Sequence, residues 1–436
     1  MQRILAAETP KNIGKKVLLA GWVYNRRDHG KLVFVDLRDR SGLVQVVGSK
    51  ELGELGSEDV VEISGSVQKR PKEMVNPKIP TGGVEVRISE IKVLSKSSQP
   101  LPIHIDEIEE KASLDKRMDW RWIDLRRPAN RLIFEVWTAM EHAFRQYWID
   151  NNYIEIHSPK LMGAASEAGS ELFEVNYFDR KAYLAQSPQF YKQMAMAAGF
   201  ERVFEVGPVF RANPSFTSRH DTEFTGYDAE ISFIESHQDV MEELQKGIAY
   251  ALAAVKEKFG SEIEKTYGRK LVVPKVPFPQ VTMKQAKDIL VKAGVKSERK
   301  GDLSPEEERE LSDYILEKEG HEFVFVTEYP IEVRPFYHMR RGDEPTLTKS
   351  FDLLWNGLEI TTGAQREHRY DVLVSQAKEK GLKLPPIQFY LDFFKYGCPP
   401  HGGFGLGPSR MLMKVLGVEN VREVTYLYRG VNRLTP

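Results

Sequence analysis

The sequence predicts an α+β protein of two parts: a small N-terminal β-barrel, and a larger domain built on a mostly antiparallel sheet with flanking helices. Five short β-rich runs alternate with Gly, Asp and Pro turns over residues 15–95, a spacing typical of a closed barrel. From Arg131 the apolar period becomes helical. From Phe323 onward alternating strands return, without the regular strand–helix–strand series that builds a parallel sheet.

The composition is that of a folded protein with room for a large core. At 436 residues the chain is long enough for two or three domains, and 41% hydrophobic and 29% charged residues are ordinary values. The chain has no run of about 18 apolar residues and no apolar signal region near its start. Its single cysteine, Cys398, excludes an internal disulfide and a thiolate metal cluster. We therefore expect a cytoplasmic protein with no membrane partner.

Charge is distributed unevenly, although the net charge is only −1. Residues 1–100 carry 17 Lys and Arg against 12 Asp and Glu, a balance of +5. A basic N-terminal domain favours contact with a nucleic acid.

The domain boundaries follow from breaks in these patterns. We predict a barrel over residues 1–105, because the segment 99–102 (QPLP) ends the strand pattern, and a hinge over the polar stretch 106–130. The second domain covers 131–436, with a charged, mostly helical insertion around 237–320. Its first helix carries one apolar stripe and ends near Asn151-Asn152. The stripe consists of Leu132, Val136, Trp137, Met140, Ala143, Phe144, Tyr147 and Trp148.

Residues 204–233 predict two strands joined by a long polar loop, with Arg211 at the end of the first strand. Alternation in the second strand gives a core face of Thr225, Tyr227, Ala229, Ile231 and Phe233. The opposite face carries Phe224, Gly226, Asp228 and Glu230. An aromatic ring, a missing side chain and two carboxylates favour the floor of a ligand site. The solvated face of an edge hairpin is the alternative.

Residues 349–363 predict a hairpin whose turn is Asn356-Gly357, the strongest short hairpin signal. With that turn, residue 354 pairs with 359, and Asp352 lies on the same face as Glu359, about 7–8 Å away between Cα atoms. Two like charges so placed need a cation or a donor between them, and Mg²⁺ binds through one or two carboxylates plus substrate phosphates. Two solvated carboxylates on an exposed sheet are an equally supported alternative.

Residues 402–417 predict a glycine-rich entry into a short helix, with Pro408 in the first turn and Gly417 just past the end. Backbone amides at such a helix start can approach an anion, and Arg410 adds a positive charge. Tight packing around a helix without a ligand is the alternative.

A second helix is predicted to start at Ser187-Pro188, which places Gln189 and Lys192 on one face. Lys192 is suited to neutralise a small acidic substrate, and an ordinary exposed lysine is the alternative. Glu167 lies in a loop of small residues, and Arg366 follows directly after the carboxylate hairpin, so it is expected near the same site.

Together these segments resemble the class II aminoacyl-tRNA synthetases, and among them the aspartyl-tRNA synthetases of the compact archaeal and eukaryotic type. The helix from Arg131 through Pro159 resembles motif 1, FRANPSFTSRHDTEF resembles motif 2, and GFGLGPSR resembles motif 3. The resemblance covers essentially the whole chain. It implies ATP-dependent attachment of aspartate to tRNA through an aspartyl-adenylate, with Mg²⁺, in a homodimer formed through the 131–160 region.

For ATP, the resemblance implies that Arg211 and Arg410 are the catalytic arginines that clamp the phosphates. Phe224 would stack on adenine, and Arg219 and His220 would meet the outer phosphates. The implied ATP-binding residues are Arg211, Asn213, Arg219, His220, Asp221, Phe224, Glu359, Gly407 and Arg410. The implied magnesium ligands are Asp352, Glu359 and Thr362. Asn213 stands where the family usually has a glutamate that contacts the adenine amino group and the tRNA acceptor end.

For aspartate, the resemblance implies that Glu167, Gln189 and Asp228 hold the ammonium group. Lys192 and Arg366 would bind the side-chain carboxylate, and Arg211 and Thr362 complete the implied set. Two fixed cations select a carboxylate over a neutral amide.

For tRNA, the resemblance implies that the barrel is an OB-fold whose Arg26, Phe34 and Gln45 bind the anticodon. Phe34 would stack on a splayed base and Gln45 would read its edge. Some members of the family charge only aspartate tRNA and others also charge asparagine tRNA, according to how the barrel reads the last anticodon base. The sequence leaves this choice open.

Three other functions compete with this interpretation. An asparaginyl-tRNA synthetase shares the scaffold and the arginine at position 366, but an amide pocket has no use for the second cation, Lys192. A lysyl-tRNA synthetase would present acids to the substrate side chain. A catalytically inactive nucleic-acid-binding relative has no need of Arg211, Arg410, Asp352 and Glu359.

Overall fold

The computed structural model describes residues 2–105, 112–164, 171–214, 217–297 and 299–436. The chain forms two compact units, Met1–Ser113 and Leu114–Pro436. None of the helices among the described residues combines the length and the apolar character that crossing a membrane requires.

The first unit is a closed barrel, as predicted. Its strands are β1 (Lys16–Asp28), β2 (Val33–Asp39), β3 (Gly42–Gly48), β4 (Val60–Lys69) and β5 (Val84–Ser95), joined in the order β1-β2-β3-β5-β4. A short helix, α1 (Lys50–Gly53), follows β3, and 3₁₀ turns span Ala6–Asn12 and Lys72–Met74. Val, Leu and Ile side chains alternate along the strands and fill the interior, because successive residues of a strand point to opposite faces.

The second unit is built on a long sheet that is antiparallel except at its two edge pairs. In spatial order its strands are β12 (Gln280–Thr282), β13 (Phe323–Thr327), β14 (Ser350–Trp355), β15 (Leu358–Gln365), β16 (His401–Leu406), β11 (Glu223–Ser232), β10 (Arg202–Phe210) and β6 (Ile154–Glu155). A small sheet in the order β7-β9-β8 consists of β7 (Leu161–Met162), β9 (Arg180–Leu184) and β8 (Glu174–Tyr177).

Three helices share the main hydrophobic core with one face of the long sheet. They are α4 (Pro128–Asp150), α6 (His237–Tyr267) and α11 (Pro408–Leu416). The apolar stripe predicted for the first of them is buried or half-buried throughout. The remaining helices are α2 (Leu114–Asp119), α3 (Arg121–Asp124), α5 (Gln189–Ala197), α7 (Met283–Lys292), α8 (Pro305–Glu319), α9 (Tyr370–Glu379), α10 (Leu384–Asp392) and α12 (Val421–Val424), with a 3₁₀ turn at Ile331–Val333.

The structure departs from the predicted boundaries around the hinge. Residues 114–124 form α2 and α3 within the second unit, and α4 begins at Pro128 rather than Arg131. Arg117 and Arg121 both pair with the fully buried Asp124, at 3.0 and 2.6 Å. The charged residues of this stretch give it the polar composition of a linker, but in the fold these three are buried and paired with one another. Residues 106–111 of the predicted hinge lie outside the described residues.

The segment 237–320 is mostly helical, but its first helix is part of the main core. α6 contributes Val240, Leu244, Ile248 and other apolar residues to the cluster that it shares with α4. Helices α7 and α8 instead pack with β13 around a separate cluster that includes Leu290 and Leu311. The charged outer faces of these helices gave the whole segment the appearance of an insertion.

Candidate active site

A cavity of about 430 Å³ opens over the polar face of β11, β15 and β16. It collects residues from segments far apart in the sequence, including fourteen of the predicted site residues. These are Gln189, Lys192, Arg211, Asn213, Arg219, His220, Asp221, Phe224, Asp228, Glu359, Thr362, Arg366, Gly407 and Arg410. Asp352 lies outside the lining residues, and Glu167 lies outside the described residues.

The floor of this cavity is the strand predicted to carry it. Phe224, Gly226 and Asp228 line the cavity, and Tyr227 and Ala229 are buried in the core behind them. Gly226 leaves space at the cavity floor beside Asp228, because a Cβ atom at this position would approach Asp228 Oδ2 to 3.3 Å.

Two expectations for this strand are wrong. Phe233 was placed on the core face but is 69% exposed, because the strand ends at Ser232 and Phe233 adopts a left-handed backbone with φ of 59°. Glu230 was placed on the ligand floor but is fully buried beneath it.

Arginines surround one end of the cavity. The guanidinium carbon of Arg211 lies 5.6 Å from the centroid of the Phe224 ring, and Arg410 donates to the backbone oxygen of Glu359 at 2.9 Å. Arg410 follows a helix start of the predicted kind, with Pro408 in the first turn of α11 and a left-handed Gly417 after its last residue. Such an arrangement suits a polyanion lying against a flat aromatic surface.

His220 at the same end is neutral at physiological pH. Burial, together with the nearby positive charges of Arg410 and Arg219, lowers the pKa of His220 to about 4. Neighbouring Asp221 shows the opposite effect: burial raises its pKa to about 7, and its Oδ1 atom has no hydrogen-bond partner among the described residues. The strong positive charge at this end is therefore carried by the arginines.

The carboxylate hairpin has the predicted turn but not the predicted register throughout. Leu354 pairs with Glu359 as expected, but a bulge after Leu353 shifts the next pairs, so that Asp352 lies opposite Thr362. A bulge adds one residue to one strand and changes which side chains share a face. It places Glu359 and Thr362, three residues apart, both at the cavity, and the Thr362 hydroxyl donates to Glu359 Oε1 at 2.9 Å.

Arg334 was not anticipated at this hairpin. Its Nη2 donates to Asp352 Oδ2 at 2.7 Å, and its guanidinium carbon lies 3.6 Å from the Tyr329 ring centroid. Asp352 Oδ1 is buried and has no hydrogen-bond partner among the described residues. This orphaned oxygen, the Glu359 carboxylate and the Thr362 hydroxyl are hard oxygen donors of the kind that Mg²⁺ takes, so the residues present fit a magnesium ion bound together with phosphates.

The other end of the cavity is closed by Lys192 of α5. Only 2% exposed, it is not the ordinary surface lysine that was the alternative. Its Nζ contacts Asp228 Oδ1 at 2.8 Å, the Phe404 carbonyl at 2.9 Å and Glu230 Oε2 at 3.4 Å.

Arg366 forms the second cation of this end. Its Nε donates to Glu230 Oε1, its Nη1 to His338 Nε2 and its Nη2 to the Gly403 carbonyl, each at 3.0 Å. A buried guanidinium held on three sides has little freedom to move, which makes it a fixed positive charge in the cavity wall.

Glu230 and His338 complete this end, and sequence reasoning missed the role of both. Glu230 lies between the two cations and is the counter-ion that they share. His338 lines the cavity and accepts from Arg366; burial and the positive charges of Arg366 and Arg334 hold its pKa well below the usual value, so it stays neutral. Alternation placed Glu230 on the same face as Asp228, but its role as a counter-ion depends on Lys192 and Arg366 from other segments. Nothing in the sequence around His338 marks it as a site residue.

In the barrel, the predicted residues do not all share a face. Register places Arg26 opposite the buried Val35, whereas Arg27 lies opposite Phe34 and its guanidinium pairs with Asp36 at 3.0 Å. Cross-strand partners point to the same side, so Arg27, rather than Arg26, lies beside Phe34.

Gln45 lies on the same side of the barrel, opposite Asp36. Its Oε1 accepts from Arg70 at 3.0 Å and from Arg27 at 3.4 Å, and its Nε2 donates to Glu85 at 3.2 Å. These contacts fix the orientation of the amide, which is the condition for reading the edge of a base.

Two family models match this chain. The model described as "tRNA synthetases class II (D, K and N)" matches residues 113–429, and the model described as "OB-fold nucleic acid binding domain" matches residues 17–94. The synthetase match covers nearly all of the second unit, and the OB-fold match lies within the first.

Curated relatives match over nearly the full length. The "Aspartate--tRNA(Asp/Asn) ligase" of Aeropyrum pernix is 44% identical over 97% of this chain and 96% of its own length. The "Aspartate--tRNA(Asp) ligase" of Pyrococcus abyssi is 43% identical over 97% of each chain.

Solved structures give the same picture of the fold. Asparaginyl-tRNA synthetase from Pyrococcus horikoshii, complexed with asparaginyl-adenylate, matches with a TM-score of 0.90 at 32% identity over 100% of both chains. Aspartyl-tRNA synthetase from Entamoeba histolytica matches with a TM-score of 0.89 at 30% identity, over 100% of this chain and 93% of that one.

Proposed function

Because the chain belongs to the class II tRNA synthetases of the group for D, K and N, it attaches an amino acid to tRNA with ATP, and we propose that the cavity over β11 is where aspartate is activated. The activity is that of an aspartate–tRNA ligase, in line with the names of its full-length relatives. The observation that carries the proposed site is the pair of buried cations, Lys192 and Arg366, at the end of the cavity opposite the arginines around Phe224.

ATP occupies the arginine-rich end. Adenine stacks on Phe224, and Arg211 and Arg410 hold the phosphates from two sides. Arg219 and His220 meet the outer phosphates, with Gly407 leaving room for them at the start of α11. Asn213 lines the cavity in place of the usual glutamate, and as a neutral amide it can still form a hydrogen bond with adenine.

Aspartate occupies the opposite end. Its side-chain carboxylate faces Arg366 and Lys192, and its ammonium group faces Asp228 and Gln189. Glu167, which the family resemblance also implies for the ammonium group, lies outside the described residues. Lys192 and Asp228 contact each other at 2.8 Å. When aspartate binds, each therefore gives up part of this ion pair to contact the oppositely charged group of the substrate. Selection of the carboxylate over an amide follows from charge, since the amide offers no negative charge to two desolvated cations.

The reaction proceeds in two displacements. An oxygen of the aspartate α-carboxylate attacks the α-phosphorus of ATP, the bond to the bridging oxygen breaks, and pyrophosphate leaves with that electron pair. A hydroxyl of the terminal tRNA ribose then attacks the acyl carbonyl, and AMP leaves. The protein supplies orientation and positive charge rather than a general base, and Arg211 and Arg410 stabilise the charge that develops on the phosphoryl oxygens.

Asp352, Glu359 and Thr362 would hold Mg²⁺, which when bound would neutralise phosphate charge. We expect Asp352→Asn to raise the Mg²⁺ concentration needed for half-maximal ATP–pyrophosphate exchange by about tenfold, the lower end of the cost seen even for outer partners of a metal site. Asp313→Asn, an exposed change on α8, is the matched control and should leave that concentration unchanged. An Asp352→Asn variant with the original Mg²⁺ requirement would remove Asp352 from the metal site.

The barrel binds the anticodon through Phe34, Gln45 and Arg27. We expect Arg27→Ala to lower kcat/KM for aspartylation of tRNA by about 10- to 100-fold, since a well-placed contact to a base contributes about 1–3 kcal/mol. Arg26→Ala removes the same charge one residue away and should have the smaller effect. Amino-acid-dependent exchange without tRNA should be equal in both variants. A larger loss in Arg26→Ala would restore the original assignment of Arg26.

Asparagine tRNA is proposed as a second substrate. The relative from Aeropyrum pernix is named for both tRNAs and is 44% identical, which supports this proposal, whereas the relative from Pyrococcus abyssi is named for aspartate tRNA alone at 43%. Aspartylation of purified asparagine tRNA is the direct test, and charging of aspartate tRNA alone would contradict it.

A homodimer through residues 131–160 is also proposed. Ile149 and Ile154 in this region are 56% and 48% exposed, so the described surface there offers apolar area for a second copy. Sedimentation equilibrium should give twice the chain mass of 50.0 kDa. A monomer at micromolar concentration would contradict the proposal.

A further inference from the structure

Helix α8, which lies outside the motifs of the family, touches the proposed ATP site through one side chain. Glu308 Oε2 accepts a hydrogen bond from Arg219 Nη1 at 2.7 Å. Both side chains are largely buried, with 10% and 17% of their surface exposed. Arg219 lines the cavity and Glu308 does not, so the carboxylate stands behind the arginine as seen from the ligand.

The position of Glu308 is fixed by the start of its own helix. Ser304 caps α8 and forms a reciprocal capping box with Glu307. Glu307 in turn accepts from Lys287 Nζ of α7 at 2.6 Å, and Lys287 also donates to the Asp302 carbonyl at 2.6 Å. The first turn of α8 is therefore tied to α7, and Glu308 projects from a rigid element.

Unlike Glu308, Arg219 is not part of a helix or strand: it lies in the loop between β10 and β11. A free arginine side chain has about 2 kcal/mol of rotamer entropy to lose on binding a ligand. The Arg219 guanidinium has five N–H donors, of which Glu308 accepts from one and leaves others for a phosphate. Burial raises the pKa of Glu308, and the positive charge of Arg219 offsets part of that rise.

We propose that Glu308 is a positioning residue that holds the guanidinium of Arg219 at the cavity wall, ready for the outer phosphates of ATP. This inference rests on the proposed function, in which Arg219 meets those phosphates. It gives the α7–α8 segment a part in the reaction: a rigid helix start orients a cation carried by a loop.

A double-mutant cycle on ATP binding tests this inference. E308Q, R219Q and the double variant are titrated with ATP and Mg²⁺ by calorimetry, and KM values for ATP and for aspartate are taken from ATP–pyrophosphate exchange. We expect E308Q to weaken ATP binding about tenfold, because a misplaced binding group can cost that much or more. R219Q should weaken binding at least as much, and the double variant no more than R219Q alone. KM for aspartate should follow neither change.

Glu306→Gln is the matched control, because it removes the same charge from an exposed position on the same helix and should leave ATP binding unchanged. Equal or tighter ATP binding by E308Q would overturn the inference, as would an effect that adds in full to that of R219Q. If R219Q itself binds ATP normally, the placement of ATP fails and the inference fails with it. If R219Q binds weakly while E308Q is silent, only the inference fails.

Discussion

Lys192→Met is expected to lower aspartate-dependent ATP–pyrophosphate exchange by at least about 100-fold while ATP binding survives. Truncating one partner of a buried, hydrogen-bonded charge pair costs about 2–5 kcal/mol, and the aspartate carboxylate would lose one of its two cations. Among the described residues, the polar contacts of Lys192 Nζ are with Asp228, Glu230 and the Phe404 carbonyl, and not with the arginines where ATP is placed. The loss should therefore appear in kcat/KM for aspartate rather than in the Kd for ATP.

The same change should also destabilise the fold, because Asp228 and Glu230 lose the ammonium group between them. Breaking a buried pair in this way costs about 3–5 kcal/mol, so thermal unfolding must be recorded to choose an assay temperature at which the variant is folded. Lys181→Met is the control: Lys181 is also ion-paired, to Glu174 at 2.6 Å, but it is mostly exposed. Unchanged aspartate turnover in folded Lys192→Met protein would show that the pocket assignment is wrong.

Glu230→Gln is expected to reduce the free energy of unfolding by about 3 kcal/mol at neutral pH, since the variant leaves Arg366 and Lys192 without their shared counter-ion. We also expect the KM for aspartate to rise about tenfold, because a glutamine keeps only one acceptor oxygen where the Glu230 carboxylate accepts from Arg366 through both of its oxygens. Glu235→Gln, an exposed change close by in the sequence, should have neither effect.

The difference in free energy of unfolding between the unmodified protein and Glu230→Gln should depend on pH in a defined direction. Burial opposes ionisation of Glu230, but the positive charges of Arg366 and Lys192 outweigh it and lower its pKa below the usual 4.5. A carboxyl whose pKa is lowered by folding stabilises the protein fully above its unfolded pKa, and this stabilisation is lost as pH falls through the folded value. The difference between the two proteins should therefore be constant above about pH 5 and shrink below about pH 4.5. A difference that grows on acidification would contradict the assigned charge of Glu230.

Much of the site follows from local rules that act within one element. The Asn356-Gly357 turn sets the start of its hairpin, and the Ser187-Pro188 start of α5 sets the common face of Gln189 and Lys192. Alternation along β11 correctly separated Phe224, Gly226 and Asp228 from the core residues between them. The period of a strand or helix is independent of what packs against it, and therefore it can be read from the chain alone.

The features that the sequence did not reveal depend on contacts between segments distant in the chain. The bulge after Leu353 has no local signature, and it decides that Thr362 shares a face with Glu359. Whether Arg26 or Arg27 accompanies Phe34 depends on register across two strands. Residues 114–124 have the charged composition of a linker, and the ion pairs of Arg117 and Arg121 with Asp124 form only in the folded protein. His338, Arg334 and Glu308 became visible only through their partners Arg366, Asp352 and Arg219.

ATP–pyrophosphate exchange with aspartate, asparagine or lysine as the only amino acid tests the central claim most directly. The two buried cations, Lys192 and Arg366, predict strong exchange with aspartate and little or none with the other two at equal concentration. Omitting tRNA keeps the barrel out of the measurement, so the result reports on the cavity alone. Exchange driven by asparagine or by lysine, with aspartate inactive, would contradict the account.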